Sequence, residues 1–217
     1  MTEQEIIQAT IEYVKRELAN AEGGHDWFHI ERVWNNTKTI AKTEQVDMLV
    51  VQLAALLHDI ADSKFNNGNE EIGPQKAVEF LESLEADEEV IWHVESIIKN
   101  ISFKGGNFKG DFHSAELDVV QDADRLDALG AIGIARAFNY GGFKGRELYN
   151  PETPPNLNMT KEEYKTSSAP TINHFYEKLL LLKDRMNTAT GKQMAEQRHE
   201  FMEEYLKQFY AEWEGSK

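Results

Sequence analysis

Cysteine is absent from the 217 residues. That removes disulfides, thiolate metal sites and cysteine nucleophiles together, and it confines any metal to nitrogen and oxygen donors. It also fits a reducing compartment, so a cytoplasmic location is expected. Positive charge is scarce: 23 Lys and Arg stand against 38 Asp and Glu, a formal charge of −15. Such a surface repels phosphate backbones and anionic lipid, so neither nucleic acid nor a membrane is an expected partner. No run approaches the roughly 18 apolar residues a membrane span needs. The first residues, MTEQEIIQATIEYVKREL, are amphipathic and charged, unlike a basic flank followed by an apolar block, so export is not expected either. Prolines number only five. Four of them (Pro151, Pro154, Pro155, Pro170) fall between Asn150 and Thr171, which leaves the rest open to helix.

What is present has helical period, and the expected fold class is all-α. Thr2 and Glu5 have capping-box spacing and open an amphipathic stretch to about Asn20, ended by Gly23-Gly24. Asp26 is placed to cap a second helix through about Lys42. Asp47 is placed to cap a third, MLVVQLAALLHDIAD, whose nearly unbroken apolar run makes it the core. Pro74 to Leu84 and Asp87 to about Ile101 read as the next two. Within KNISFKGGNFKG, from Lys99 to Gly110, three lysines occur with no acid, a basic island in an acidic chain. Ser114 is placed to cap one long helix, AELDVVQDADRLDALGAIGIARAF, with Gly130 and Gly133 read as a close helix contact. Gly141 to Ala169 is a polar, proline-containing connection long enough to be lid-like and flexible, with Thr160 and Glu163 capping a short turn. Thr171 to Trp213 reads as two helices divided near Asn187 to Gly191, with Thr190 and Gln193 at capping-box spacing. Residues 1–217 are expected to form a single domain, with its core at about 24–139 and the C-terminal helices (171–213) packed on that core.

His58 and Asp59 interrupt the most apolar helix, where an imidazole and a carboxylate together cost several kcal/mol unless paired or coordinated. An isolated His-Asp pair is ordinarily a hydrogen-bonded core histidine beside a cap. Two further clusters change that reading: His25, Asp26 and His29 at the head of the second helix, and Asp122 with Asp124 in QDADRLDALG. Two imidazoles and two carboxylates drawn from three helices make a mixed nitrogen and oxygen set suited to Mn, Fe, Co, Ni or Zn. Asp62 follows His58 by four, so continued helix places it on the same face, where a general acid or base belongs.

The settings HIERV, AALLHDIAD and QDADRLDALGAIGIAR, in this order and spacing, resemble the HD-domain metal-dependent phosphohydrolases, and more narrowly the YpgQ/YedJ branch of small stand-alone bacterial HD proteins. The resemblance runs from Gly24 to Asn139. It implies an HD-domain helical bundle and one divalent ion held by His29, His58, Asp59 and Asp124, with Asp122 behind Asp124. Mn is the implied metal, with Mg, Co, Ni, Fe or Zn as alternatives. Branches with two metals add histidines between the HD pair and the last aspartate. Here His93 and His113 occur there, but Asn100-Ile101-Ser102 stands where such branches place a His-Thr pair, so one ion is expected.

The implied chemistry is hydrolysis of a small-molecule nucleotide, a nucleoside triphosphate cut to monophosphate and pyrophosphate. Asp59 or Asp62 would take the proton of the attacking water and His25 would protonate the leaving group. Lys64, Lys104, Arg32 and Lys99 would hold phosphate oxygens. The same ion would also serve a 5'-nucleotidase or an alarmone or cyclic-nucleotide hydrolase, and a non-catalytic nucleotide-sensing module would keep the ion without turnover. Oligomeric state is left open by the sequence.

Overall fold

The computed structural model describes residues 1–21, 24, 26–61, 69, 71–101, 112–160, 163 and 166–217. His25, Asp62, Lys64 and Lys104, four of the expected site residues, lie outside these. Among the described residues every regular element is a helix. They form two compact units, Met1–Asp124 and Arg125–Lys217.

The first unit contains α1 (Glu3–Glu17), α2 (Trp27–Ala41), α3 (Met48–Leu57), α4 (Ile72–Ser83), α5 (Glu88–Ile101) and most of α6 (Ala115–Asp127). The expected caps are in place. Thr2 and Glu5 form the reciprocal capping box of α1, and the Asp47 carboxylate accepts from the N–H groups of Leu49 and Val50 at 2.8 and 3.1 Å. Ser114 Oγ accepts from Leu117 N–H at 3.1 Å and so opens α6. α3 is the centre: α1, α2 and α5 pack around it, and Val51 and Leu53 to Leu57 are fully buried. Each such leucine contributes roughly 1.5–3 kcal/mol over an exposed one.

The third and sixth helices depart from expectation. α3 stops at Leu57 with His58 as its C-cap, so the His-Asp pair follows the helix instead of interrupting it. Continued helical phase therefore gives no ground for placing Asp62. The long helix expected after Ser114 is two helices, α6 and α7 (Gly130–Phe143). The break lies at Leu129, which is extended (φ −115°, ψ 160°), and at Gly130, which takes φ +69°. A side chain at Gly130 would be strained there. Gly133 then lies so close to the turn that a Cβ would sit 2.2 Å from the Ala128 carbonyl oxygen. Gly133 thus serves the turn, whereas Gly130 serves both the turn and the expected close helix contact, since a Cβ there would lie 3.1 Å from the Cβ and Cγ of Arg198 in the helix Ala189–Trp213.

The second unit holds α7, α8 (Thr171–Glu177), two 3-10 turns (Leu179–Leu181 and Lys183–Arg185) and α9 (Ala189–Trp213). The cap of α9 is Thr188, whose hydroxyl accepts from Gly191 N–H at 2.9 Å. The Thr190 and Gln193 pairing is displaced because Thr190 already lies inside the first turn. The connection before α8 is pinned at its base, where the N–H groups of Thr171 and Ile172 donate to the carbonyls of Glu147 and Leu148 at 2.9 and 3.0 Å. Within it Thr160 and Glu163 exchange the expected reciprocal bonds. Tyr149, Phe209, Tyr210 and Trp213 form a ring cluster with centroids 5.1 to 6.1 Å apart. Phe209 and Tyr210 at the end of α9 are therefore packed within their own unit, while Trp213 keeps 52% exposure.

Candidate metal centre

Three helix ends or faces bring the four expected ligands together, all within the first unit. His29 stands in the first turn of α2, where the capping Asp26 carboxylate accepts the N–H of His29 itself at 3.1 Å. His58 and Asp59 follow directly on α3. Asp124 is carried by α6. His29 Nε2 lies 3.6 Å from Asp124 Oδ1 and 3.9 Å from Asp59 Oδ2. His58 Nε2 lies 3.7 Å from Asp124 Oδ1. The two imidazoles meet edge to face, with centroids 5.4 Å apart. His29, His58 and Asp59 each present a donor atom within 4.8 Å of the other two. An ion with bonds of about 2.1 Å sets neighbouring donors about 3 Å apart and opposite donors about 4.2 Å apart. The three imidazole–carboxylate separations of 3.6, 3.7 and 3.9 Å fall between those limits, while Asp124 is not part of the three-residue group.

The end of α3 also decides which nitrogen of His58 is offered. The last carbonyls of a helix have no intrahelical donor, and that of Ala55 accepts from His58 Nδ1–H at 2.8 Å. The lone pair is thereby left on Nε2, the form in which an imidazole ligates. Nε2 is buried and has no hydrogen-bond partner among the described residues. A buried ring nitrogen facing the Asp124 carboxylate beside a second imidazole is an arrangement that a cation completes, and these donors fit one.

Metal-free, the group is completed by a proton. Burial, the largest influence on His58, works against the imidazolium. The neighbouring Asp124, then Asp59 and the Ala55 carbonyl, outweigh it and raise the His58 pKa to about 9. At 3.7 Å the Asp124 contact is too long for a hydrogen bond, so its attraction is coulombic.

Asp122 is fully buried, whereas the Asp124 side chain keeps 38% exposure and is the one that faces the imidazoles. His93 bonds Ser114 Oγ at 2.9 Å and lies 3.5 Å from Glu116. His113 pairs with Asp118 at 3.1 Å. Among the described residues neither joins the metal-ligating group. Lys99 is already paired with Glu95 at 2.8 Å and Glu71 at 3.9 Å. Arg32 is half-buried one turn beyond His29 on α2. One participant escapes sequence reading. Asn36 Nδ2 donates to the Ala123 carbonyl at 3.3 Å, and its only signal in the letters is its position two turns beyond His29.

The helical fold carries a His29, His58 and Asp59 group that could hold a metal ion, and residues 27–129 match the HD domain family model. The chain belongs to the HD-superfamily hydrolases, metal-dependent phosphohydrolases. It is 36% identical over 197 residues to YpgQ of Bacillus subtilis (strain 168), covering 90% of this chain and 88% of that one. The crystal structure of an HD-superfamily hydrolase from Bacillus thuringiensis is 46% identical, with a TM-score of 0.78 over 98% of this chain and 99% of the other. The crystal structure of Bacillus subtilis YpgQ in complex with ADP is 35% identical, with a TM-score of 0.75 over 98% and 97% of the two chains. No helix among the described residues is long and apolar enough to cross a membrane.

Proposed function

We propose that the chain hydrolyses nucleoside triphosphates to the monophosphate and pyrophosphate, with one divalent ion, Mn above the others, held by His29, His58, Asp59 and Asp124. The observation that carries this reading is the buried His58 Nε2, without a hydrogen-bond partner among the described residues and facing Asp124 beside a second imidazole. The ADP held by YpgQ supports a nucleotide as the ligand class. Bound among these donors, a divalent ion would supply a Lewis acid for phosphoryl oxygen and lower the pKa of its water. The side chains account for the rest. His29 and His58 would offer ring nitrogens to the ion, the latter through Nε2 because its Nδ1–H is bonded to the Ala55 carbonyl. Asp59 or Asp62 takes the proton of the water that attacks the α-phosphorus. The bond from that phosphorus to the bridging oxygen breaks, and His25 returns a proton to the departing pyrophosphate.

Lys64, Lys104 and Arg32 supply positive charge to the phosphates. Lys99 joins them only by exchanging its carboxylate partners for substrate. The reading also treats residues 1–217 as one folding unit, because α6 runs through the boundary between the two compact units as a single helix. The test is a matrix of divalent metals against nucleotides with the products identified. Pyrophosphate and monophosphate are expected, fastest with Mn, and orthophosphate as the sole phosphate product would reject the proposed cleavage.

A further inference from the structure

A side-chain hydrogen bond joins the helix that carries His29 to the helix that carries Asp124. Asn36 Nδ2, on α2, donates to the carbonyl of Ala123 on α6 at 3.3 Å. Ala123 is fully buried and immediately precedes Asp124. In an α-helix, side chains lean toward the N-terminus while carbonyls point toward the C-terminus. Residues 123 and 124 therefore reach in opposite directions along α6. Asp124 extends its carboxylate to His29, and Ala123 turns its carbonyl to Asn36. On α2 these two positions are seven residues apart, on one face and about 10 Å from each other along the axis.

From this two-point attachment we infer that Asn36 is a positioning residue of the metal centre. Its amide holds α6 against α2 at the register that sets the distance between His29 and Asp124. The inference rests on the proposed ligand set. Apolar packing alone resists separation of two helices better than it resists sliding, because small axial slips leave most buried area unchanged. A hydrogen bond to a particular carbonyl does specify register. Its bond goes to the backbone of α6, so its effect passes through the helices.

The test is Mn(II) titration of the chelator-stripped full chain, read by the electron paramagnetic resonance signal of unbound Mn(II), with thermal melts of the metal-free proteins alongside. Asn36→Ala is expected to weaken Mn(II) binding about tenfold, within the range typical of groups that orient metal ligands. Asn36→Asp separates two causes. It adds a negative charge that would tighten a cation if Asn36 acted through the local field, yet it presents an acceptor to a carbonyl. Weakened binding is therefore expected for it as well. Asn36→Gln keeps the donor and should remain within about threefold of the wild type. Thr39→Ala, on the exposed side of α2, should leave binding unchanged. If Asn36→Ala does not fold, the comparison of the Asp and Gln variants decides. Wild-type affinity in the Ala and Asp variants, with the wild type binding Mn(II), overturns the positioning role alone. A wild type that binds no Mn(II) overturns the proposed metal centre and this inference with it.

Discussion

Asp124 and Asp127 lie three residues apart on α6, and they answer the same electrostatic problem in opposite ways. Asp127, 1% exposed, receives Arg136 Nη1 at 2.8 Å. The guanidinium of Arg198 is also close. Burial lowers its pKa and the Asp127 charge raises it in return. Asp127 is thus neutralised by permanent cations from its own unit. Asp124 faces two imidazoles instead, one of them with a buried nitrogen that has no hydrogen-bond partner among the described residues. An arginine closes a carboxylate pair for good, because it does not lose its proton in the accessible range. A histidine leaves the pair open to exchange a proton for a metal ion. Which residue faces the carboxylate therefore distinguishes a structural ion pair from a cation site, and burial alone does not.

The comparison breaks most decisively at Asp124. Asn at this position keeps the volume and removes the charge. Phosphohydrolase activity is expected to fall by about a thousandfold, the equivalent of roughly 4 kcal/mol of lost stabilisation. The metal-free protein should lose only the part of the His58 contribution that Asp124 supplies, a loss seen below about pH 9. Steady-state rates and chemical denaturation of the same preparation measure both, and wild-type Mn(II) affinity in Asp124→Asn would remove Asp124 from the ligand set.

Asp127→Asn should do the reverse. Removing one partner of a buried pair strands the other, at a cost of about 3 kcal/mol. Urea denaturation of the metal-free chain should show that loss, while Mn(II) affinity stays within about twofold. A large loss of affinity with little loss of stability would assign Asp127 to the site.

The third expectation sharpens the contrast through pH. His58 has its folded pKa raised to about 9 from 6.5. In the metal-free protein its contribution is complete below pH 6.5 and is lost as pH rises toward 9, on the order of 3 kcal/mol at most. Saturating Mn(II) should reverse the trend, because the proton that competes with the ion is leaving over the same window. Denaturation at pH 6, 7.5 and 9 with and without Mn(II) reads both slopes. A flat metal-free profile would show that no proton completes the group.

Much of this was legible before any coordinates. The caps at Thr2, Asp26, Asp47 and Ser114 are local events, in which a side chain meets a backbone group two or three residues away, so short-range spacing locates them. The helix boundaries missed at Leu57 and Leu129 have a different origin. Nothing in LLHDIAD is a strong helix breaker, and the chain leaves the helix where the His58 ring bonds back to Ala55. At Gly130 the propensity cost was visible, but the left-handed turn that uses it was not.

The resemblance to HD-domain phosphohydrolases singled out His29, His58, Asp59 and Asp124, while composition and pattern by themselves determined that the chain is helical and that any metal rests on nitrogen and oxygen. These follow from residue chemistry and short-range periodicity, both carried by neighbours in the chain. Tertiary structure alone decided that Asp124 rather than Asp122 turns toward the imidazoles, that His58 presents Nε2, and that Asn36 ties the two ligand-bearing helices. Those outcomes depend on how helices cross and which carbonyls are left over where they end. Such relations join residues as much as 87 positions apart, and no local pattern encodes them.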